Sequence, residues 1–190
     1  FGAEAAILLD MVAGIDPATP VIFIDSGKLF HHTLTYRDIL VRRLGLSDVR
    51  TIEPAPFDLG GHDPDGALWQ RNPNLCCYLR KVLPLERTLD GFDAWITGRK
   101  RDHGGERGGL ETIEAVDGRI RLNPLARWSS EKINSTFEAR GLPRHPLSEE
   151  GYASIGCAPC TTPVSPDANA RDGRWQGRAK SECGIHHARW

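Results

Sequence analysis

Apolar positions along this chain fall into short, regularly spaced groups separated by polar stretches. Ile7, Leu8, Met11 and Val12 recur at helical spacing and predict a helix over 3–13. Pro20 then opens an unbroken apolar, β-branched run, Val21-Ile22-Phe23-Ile24, closed by Asp25-Ser26-Gly27, which predicts a buried strand and a turn. The helical period returns over 33–44, with Leu34, Ile39, Leu40 and Leu44 on its apolar face and Gly45 as its stop. Residues 49–52 predict a second strand. Residues 54–73 are rich in Pro, Gly and Asp and predict a long surface loop. Residues 76–89 predict a helix that Pro84 must kink or begin, and 94–97 a third strand ending at Gly98. A glycine-rich basic loop follows over 98–107. Residues 113–116 and 119–122 flank Asp117-Gly118, a strong hairpin signal. Ser129 or Ser130 is placed to cap a helix running to Arg140. Beyond Leu142 the prolines and glycines predict irregular structure.

Strand–helix alternation through the first hundred residues predicts an α/β fold with a mainly parallel, doubly wound sheet. Ligands of such sheets bind beyond the carboxyl ends of the strands. Two predicted strands end there in Asp-Ser-Gly and Thr-Gly-Arg, placing small and basic residues at that edge. At 190 residues the chain suits one sizeable core. The predicted organisation is a single α/β domain over 1–175 and a mobile tail over 176–190. The chain opens on Phe1-Gly2-Ala3-Glu4, without an initiator methionine, and runs at once into a helical pattern, as does a chain whose start has been lost.

Charge narrows the function classes. With 24 Lys and Arg against 25 Asp and Glu, bulk charge points neither to nucleic acid nor to an anionic membrane. No apolar run reaches the length of a membrane span, and no signal peptide is expected. The cysteines are Cys76, Cys77, Cys157, Cys160 and Cys183. An odd count with one adjacent pair and one C-x-x-C does not read as a secreted disulfide framework. It reads as a reducing, cytoplasmic setting, with four cysteines for a metal centre and one left over.

Soft thiolates favour iron–sulfur clusters or zinc. Adjacent Cys76 and Cys77 do not easily wrap one zinc, but they can reach different irons of a cubane cluster. Cys157-Ala158-Pro159-Cys160 also resembles a thioredoxin-type redox pair, which should open a helix; here Pro163 and Pro166 follow closely. Lys81 lies four positions after Cys77 and so shares a helix face with it. Arg99, Arg101 and Arg107 sit in the loop after a strand, and Arg171 and Arg174 lie between the C-x-x-C and the tail. Arginines clustered on glycine-rich loops suit phosphate and sulfate, which they hold by paired hydrogen bonds; each taken singly also reads as a solvated surface residue.

Together, Cys76-Cys77-x-x-x-Lys81, Cys157-x-x-Cys160 and the terminal Glu182-Cys183-Gly184-Ile185-His186 resemble the assimilatory adenylyl-sulfate reductases, of the phosphoadenylyl-sulfate/adenylyl-sulfate reductase family. Ile24-Asp25-Ser26-Gly27 resembles that family's Leu-Asp-Thr-Gly turn, and Thr97-Gly98-Arg99-Lys100-Arg101 and Arg171-x-x-Arg174-Trp175 also fall where the family has them. The resemblance runs from Phe1 to about His187. It implies an adenine-nucleotide α-hydrolase-like fold and a [4Fe-4S] cluster on Cys76, Cys77, Cys157 and Cys160. It places Lys81, Arg107, Arg171 and Arg174 around the sulfate and phosphate, with Ile24, Ser26, Gly27 and Gly98 on the nucleoside side. The two cysteine pairs favour adenylyl sulfate over its 3′-phosphorylated form.

By the same resemblance, Cys183 attacks the sulfur of adenylyl sulfate, AMP leaves, and thioredoxin or glutaredoxin releases sulfite from the adduct. Cations beside such a cysteine lower a thiol's ordinary pKa of about 8.5. The same cations offset its repulsion from the substrate anion. His186 and His187 read as solvated tail residues, with assistance to Cys183 as the alternative for His186. A homo-oligomer stays open. Family members carry a serine-containing phosphate loop and a central strand just before Phe-Gly-Ala-Glu, and these are expected to be missing here; Ala5 stands where the family usually has Asp. Two other readings compete: an ATP-pyrophosphatase-type sulfur transferase acting on tRNA, and a zinc-stabilised interaction module without catalysis.

Overall fold

The computed structural model describes residues 1–186. Helix α1 (Ala5–Ala13) buries Ala6, Ile7 and Leu9. It starts two residues later than the periodicity predicts, because Gly2 to Glu4 form a turn in which the Ala5 amide donates to the Gly2 carbonyl. Strands β1 (Val21–Ile24) and β2 (Val49–Ile52) pair in parallel with Val21 opposite Val49. Helix α2 (His31–Leu44) is the crossover between them and begins two residues before its predicted start. Gly45 ends it at φ 64°, a left-handed conformation that a Cβ disfavours. Its buried face is Thr33, Tyr36 and Leu40, whereas Leu34 and Ile39 are only half-buried. The face turns toward Tyr36 because that ring enters the core and its hydroxyl donates to the Pro143 carbonyl at 2.8 Å.

The predicted loop at 54–73 contains two short helices, α3 (Pro56–Gly60) and α4 (Leu68–Arg71). Side chains of aspartates in this stretch, Asp63 and Asp65, accept from the Leu68 and Ala67 amides and so organise what composition alone reads as irregular. The helix predicted over 76–89 is longer. Helix α5 (Pro73–Cys77), a π-helical stretch (Tyr78–Val82) and α6 (Leu83–Leu89) run end to end. Pro84 has no N–H to give, and its ring crowds the carbonyl one turn back. The wider turn, in which the Leu83 amide donates to the Tyr78 carbonyl, lets the helix pass through the proline unbroken.

Strands β3 (Ala94–Ile96), β4 (Ile113–Val116) and β5 (Arg119–Leu122) form a second sheet in the order β3-β5-β4. β3 is parallel to β5, and β4 pairs antiparallel through the predicted hairpin, whose Asp117 and Gly118 sit at φ 50° and 75°. The α/β class and the parallel pairing are as expected, but among the described residues β1 and β3 belong to separate sheets. Helix α7 (Ser130–Ala139) is capped by the Ser129 hydroxyl, which accepts from the Lys132 amide. It packs with α1 and α2 around Ile7, Tyr36, Leu40, Leu125, Ile133 and Phe137.

His145 is fully buried behind this core. Its Nδ1 accepts from the Leu147 amide, which puts the ring proton on Nε2 facing Thr33 Oγ1 at 3.0 Å. Burial first, then the positive amino terminus and His32, push its pKa down to about 4. The unfolded chain, with histidine near 6.5, therefore binds more protons than the folded one between these values, so stability falls on acidification through that window. The expected loss between pH 7.5 and pH 5 is about 2 kcal/mol from this residue. Urea titrations at the two pH values check it: the difference should shrink in His145→Asn.

Candidate active site

The turn after β1 and the segment around Cys157 are stitched together. Leu29 bridges Cys157, and the Ala158 amide donates to the Lys28 carbonyl at 2.8 Å. Ser26, fully buried, places its hydroxyl 3.0 Å from Cys157 Sγ. From the other side, the Arg80 guanidinium donates through Nη1 to the Ser26 carbonyl at 2.9 Å and through Nε and Nη2 to Asp63 Oδ2 at 3.0 and 2.5 Å. Gly27, at φ 67°, leaves the room that guanidinium needs: a Cβ there would lie 3.3 Å from Arg80 Nη1. These contacts bring the two distant cysteine pairs to one small cavity, lined by Cys76, Cys77, Cys157 and Cys160 with Arg80 and Lys81.

Burial pushes the Cys76 thiol up to about 11 and raises Cys77 and Cys160 as well, Lys81 offsetting part of this at each. Lys81 Nζ lies 3.8 Å from Cys77 Sγ. Burial works against the charge on Lys81, but Cys157, Cys183 and Cys77 outweigh it and raise its pKa. Among the described residues no three His, Cys, Asp or Glu side chains converge as a single metal ion would need. Four thiols in one cavity have the donor chemistry of a soft-metal centre.

A cleft of about 690 Å³ runs along the whole of β1 and β3 and reaches past their carboxyl ends. Ile24 and Gly98 line it from the strand ends, Lys81 from the π-helical stretch, and Arg107, Arg171, Arg174 and Cys183 from the loop and tail. Seven of the nine residues expected to bind substrate or react thus share one cleft, although they come from five separate stretches of chain. Ser26 and Gly27 do not line it; Ser26 meets Cys157 and Gly27 lies against Arg80 instead. Arg174 lies over the Trp175 ring at 4.4 Å, with its Nε sealed from solvent and unpartnered among the described residues. It packs so close to Gly156 that a Cβ there would come within 2.1 Å of its Nη2. Burial and the adjacent Arg107 push Arg171 down to about 10. Crowded, partly desolvated arginines of this kind make a site that gains from an anion.

Residues 182–186 fold into this cleft. Arg171 donates to the Ser181 carbonyl, Arg107 and Arg171 both engage the Glu182 carboxylate, and Arg121 donates to the His186 carbonyl at 2.7 Å. Gly184, at φ 91°, makes the bend between them. His186, read from sequence as solvated, is enclosed: its Nδ1 is buried without a partner among the described residues, and burial with the surrounding arginines holds its pKa well below the ordinary value. His187 lies outside the described residues. Sequence reasoning gave no role to His103, Arg80, Asp63 or the Glu182 side chain. Only the pairing of loop with tail, 75 residues apart, reveals what Arg107 and Glu182 do.

The chain matches the family described as phosphoadenosine phosphosulfate reductase domain over residues 1–163. It is 50% identical over 186 residues to a protein named adenosine 5′-phosphosulfate reductase from Mesorhizobium japonicum, covering 98% of this chain and 73% of that one. It is 38% identical to a phosphoadenosine 5′-phosphosulfate reductase from Gloeobacter violaceus, covering 98% and 79%. Among solved structures it superposes on the phosphoadenylyl-sulfate reductase of Candida auris, a phosphate complex, with a TM-score of 0.72 at 25% identity over 85% of this chain and 80% of that one. The FMN adenylyltransferase of Candida glabrata shares the fold at a TM-score of 0.57 and 18% identity, over 80% of this chain and 46% of that one. Among the described residues no helix is long and apolar enough to cross a membrane.

Proposed function

The chain belongs to the phosphoadenosine phosphosulfate reductase domain family, and from that premise we propose that it reduces adenylyl sulfate to sulfite and AMP in assimilatory sulfate reduction, in the cytoplasm. The observation that carries this reading is the presence of Cys183 in the same cleft as Lys81, Arg171 and Arg174. A thiolate placed among cations has both its charge and that of the approaching sulfate offset.

The chemistry is two nucleophilic displacements. The Cys183 thiolate attacks the sulfur of adenylyl sulfate. An S–S bond forms, the bond between sulfur and the bridging oxygen breaks, and AMP leaves with the electron pair. The enzyme then holds Cys–S–SO₃⁻. A dithiol protein reductant such as thioredoxin attacks the Cys183 sulfur, sulfite departs with the electron pair, and the reductant's second thiol frees Cys183 as it closes its own disulfide. Lys81, Arg171 and Arg174 hold the sulfate and phosphate; the strand ends at Ile24 and Gly98 hold the nucleoside. For the second step the tail must leave the cleft far enough to meet a protein, a gating motion of a kind that often limits turnover.

Cys76, Cys77, Cys157 and Cys160 fit a [4Fe-4S] cluster by donor chemistry and by their shared cavity. When bound, the cluster sets the electrostatics around Lys81, and both electrons for the reduction come from the dithiol. Mass spectrometry after mixing the protein with adenylyl sulfate, without reductant, tests the reading: Cys183 should gain about 80 Da, the mass of SO₃. An unmodified Cys183 with AMP still formed would refute it.

A further inference from the structure

We propose that Glu182 is the positioning residue that holds Cys183 at the site, and that Arg107 acts on the tail through Glu182 rather than on the nucleotide. Arg107 meets the Glu182 carboxylate as a two-toothed fork, Nε to Oε1 at 2.5 Å and Nη2 to Oε2 at 2.9 Å. Both side chains are 11% exposed, so the pair is largely out of water. Arg171 reaches the same carboxylate at 3.2 Å. Burial raises the Glu182 pKa, but the bond and charge of Arg107 and the charge of Arg171 outweigh it and hold the carboxyl below its ordinary range. The pair is therefore charged throughout the neutral range.

Arg107 is held from behind. Its Nη1 donates to His103 Nδ1 at 3.0 Å, which leaves the ring proton on Nε2, 3.6 Å from Glu4. Burial first, then Lys100, Arg107 and Arg171, push the His103 pKa down to about 3, so the ring stays a neutral acceptor. Glu4 is bound in turn by the fully buried Lys100 at 2.7 Å. Contacts thus run from the start of α1 to the tail through a neutral imidazole, hydrogen-bonded at Lys100–Glu4, His103–Arg107 and Arg107–Glu182, with the His103–Glu4 approach at 3.6 Å between them. Three of the five N–H donors of Arg107 are spent, two on Glu182 and one on His103, and the Nε/Nη2 fork with which it would grip a phosphate is taken by the Glu182 carboxylate. Arg178 and Lys180 tie the tail further back, to Gln70 and Asn74; backbone clamps at Ser181 and His186 hold either side of Cys183, and within 181–186 Glu182 contributes the ion-paired side chain.

This proposal rests on the reductase reading only for why Cys183 must be placed. Its test compares the intact protein with Glu182→Gln, Arg107→Gln and the double variant. Alkylation of Cys183 by iodoacetamide, on the alkaline plateau where thiol ionisation no longer limits the rate, reports how often the tail is undocked; AMP affinity by calorimetry reports the nucleotide site. Each single variant should be alkylated roughly tenfold faster, and the double variant no faster than either. AMP affinity should stay within about twofold, while the rate of Cys183 adduct formation at saturating adenylyl sulfate falls and KM holds. The idea fails if the two effects on alkylation add, or if alkylation is unchanged while Arg107→Gln weakens AMP binding. It also fails if Glu182→Gln tightens AMP binding, which would make Glu182 an occupant of a substrate anion subsite. Should one single variant not fold, the other carries the same readouts. If the intact protein never forms the adduct, the reductase reading falls, and the alkylation result still stands or falls by itself.

Discussion

Cys183→Ser is expected to lose sulfite formation from adenylyl sulfate by roughly 10⁴-fold or more, the scale on which removing a covalent nucleophile acts. A serine hydroxyl is not ionised in the neutral range and forms no S–S bond, so neither displacement has a route. The loss should be confined to chemistry. Cys183 is not among the residues lining the cavity of the other four cysteines, so iron and sulfide content should match that of the unaltered protein. AMP should bind with unchanged affinity, because Lys81, Arg171 and Arg174 remain. Assaying sulfite release, metal content and AMP binding side by side separates the outcomes. Substantial residual sulfite formation would mean that another thiol carries the sulfonate.

Asp63→Asn is expected to cost about 3–5 kcal/mol of stability, because it leaves a buried guanidinium without its counter-charge. The Asp63 side chain is fully enclosed and that of Arg80 is 8% exposed. Burial raises the Asp63 pKa, but the bond from Arg80, the Leu68 amide and the charges of Arg80 and Lys28 outweigh it. Its folded pKa is thus depressed, so the stabilisation is complete at neutral pH and is lost only as pH falls through that low value. The asparagine keeps an acceptor for the Leu68 amide and isolates the loss of charge. Guanidinium denaturation at pH 7 measures it. A matched pair, Asp63→Leu with Arg80→Met, should be less destabilised than Asp63→Leu alone, since an apolar pair leaves no orphaned ion. A cost under about 1 kcal/mol for Asp63→Asn would show that water reaches Arg80 and that the pair is not what joins the β1 turn to the cysteine-bearing helix.

The sequence alone was enough for every element whose signal is local. The apolar run of β1, the Asp117-Gly118 hairpin, the Gly45 stop and the Ser129 cap each express a preference of a few neighbouring residues, and each appears in place. The terminal Glu-Cys-Gly-Ile-His and the two cysteine pairs marked the chemistry, because reactive groups are conspicuous by type even before their positions are known. Tertiary structure decided the rest, through contacts between residues far apart in the chain. Tyr36, not Leu34 or Ile39, defines the inner face of α2 because the surface it packs on comes from α1, α7 and Pro143. Ser26 meets Cys157 across 131 positions and Arg107 meets Glu182 across 75, and no local pattern encodes such pairs. A charged side chain looks alike in sequence whether it holds a substrate, a second side chain or only water. What it does depends on which partner the fold delivers and how far water is excluded, and those are properties of the packed molecule alone.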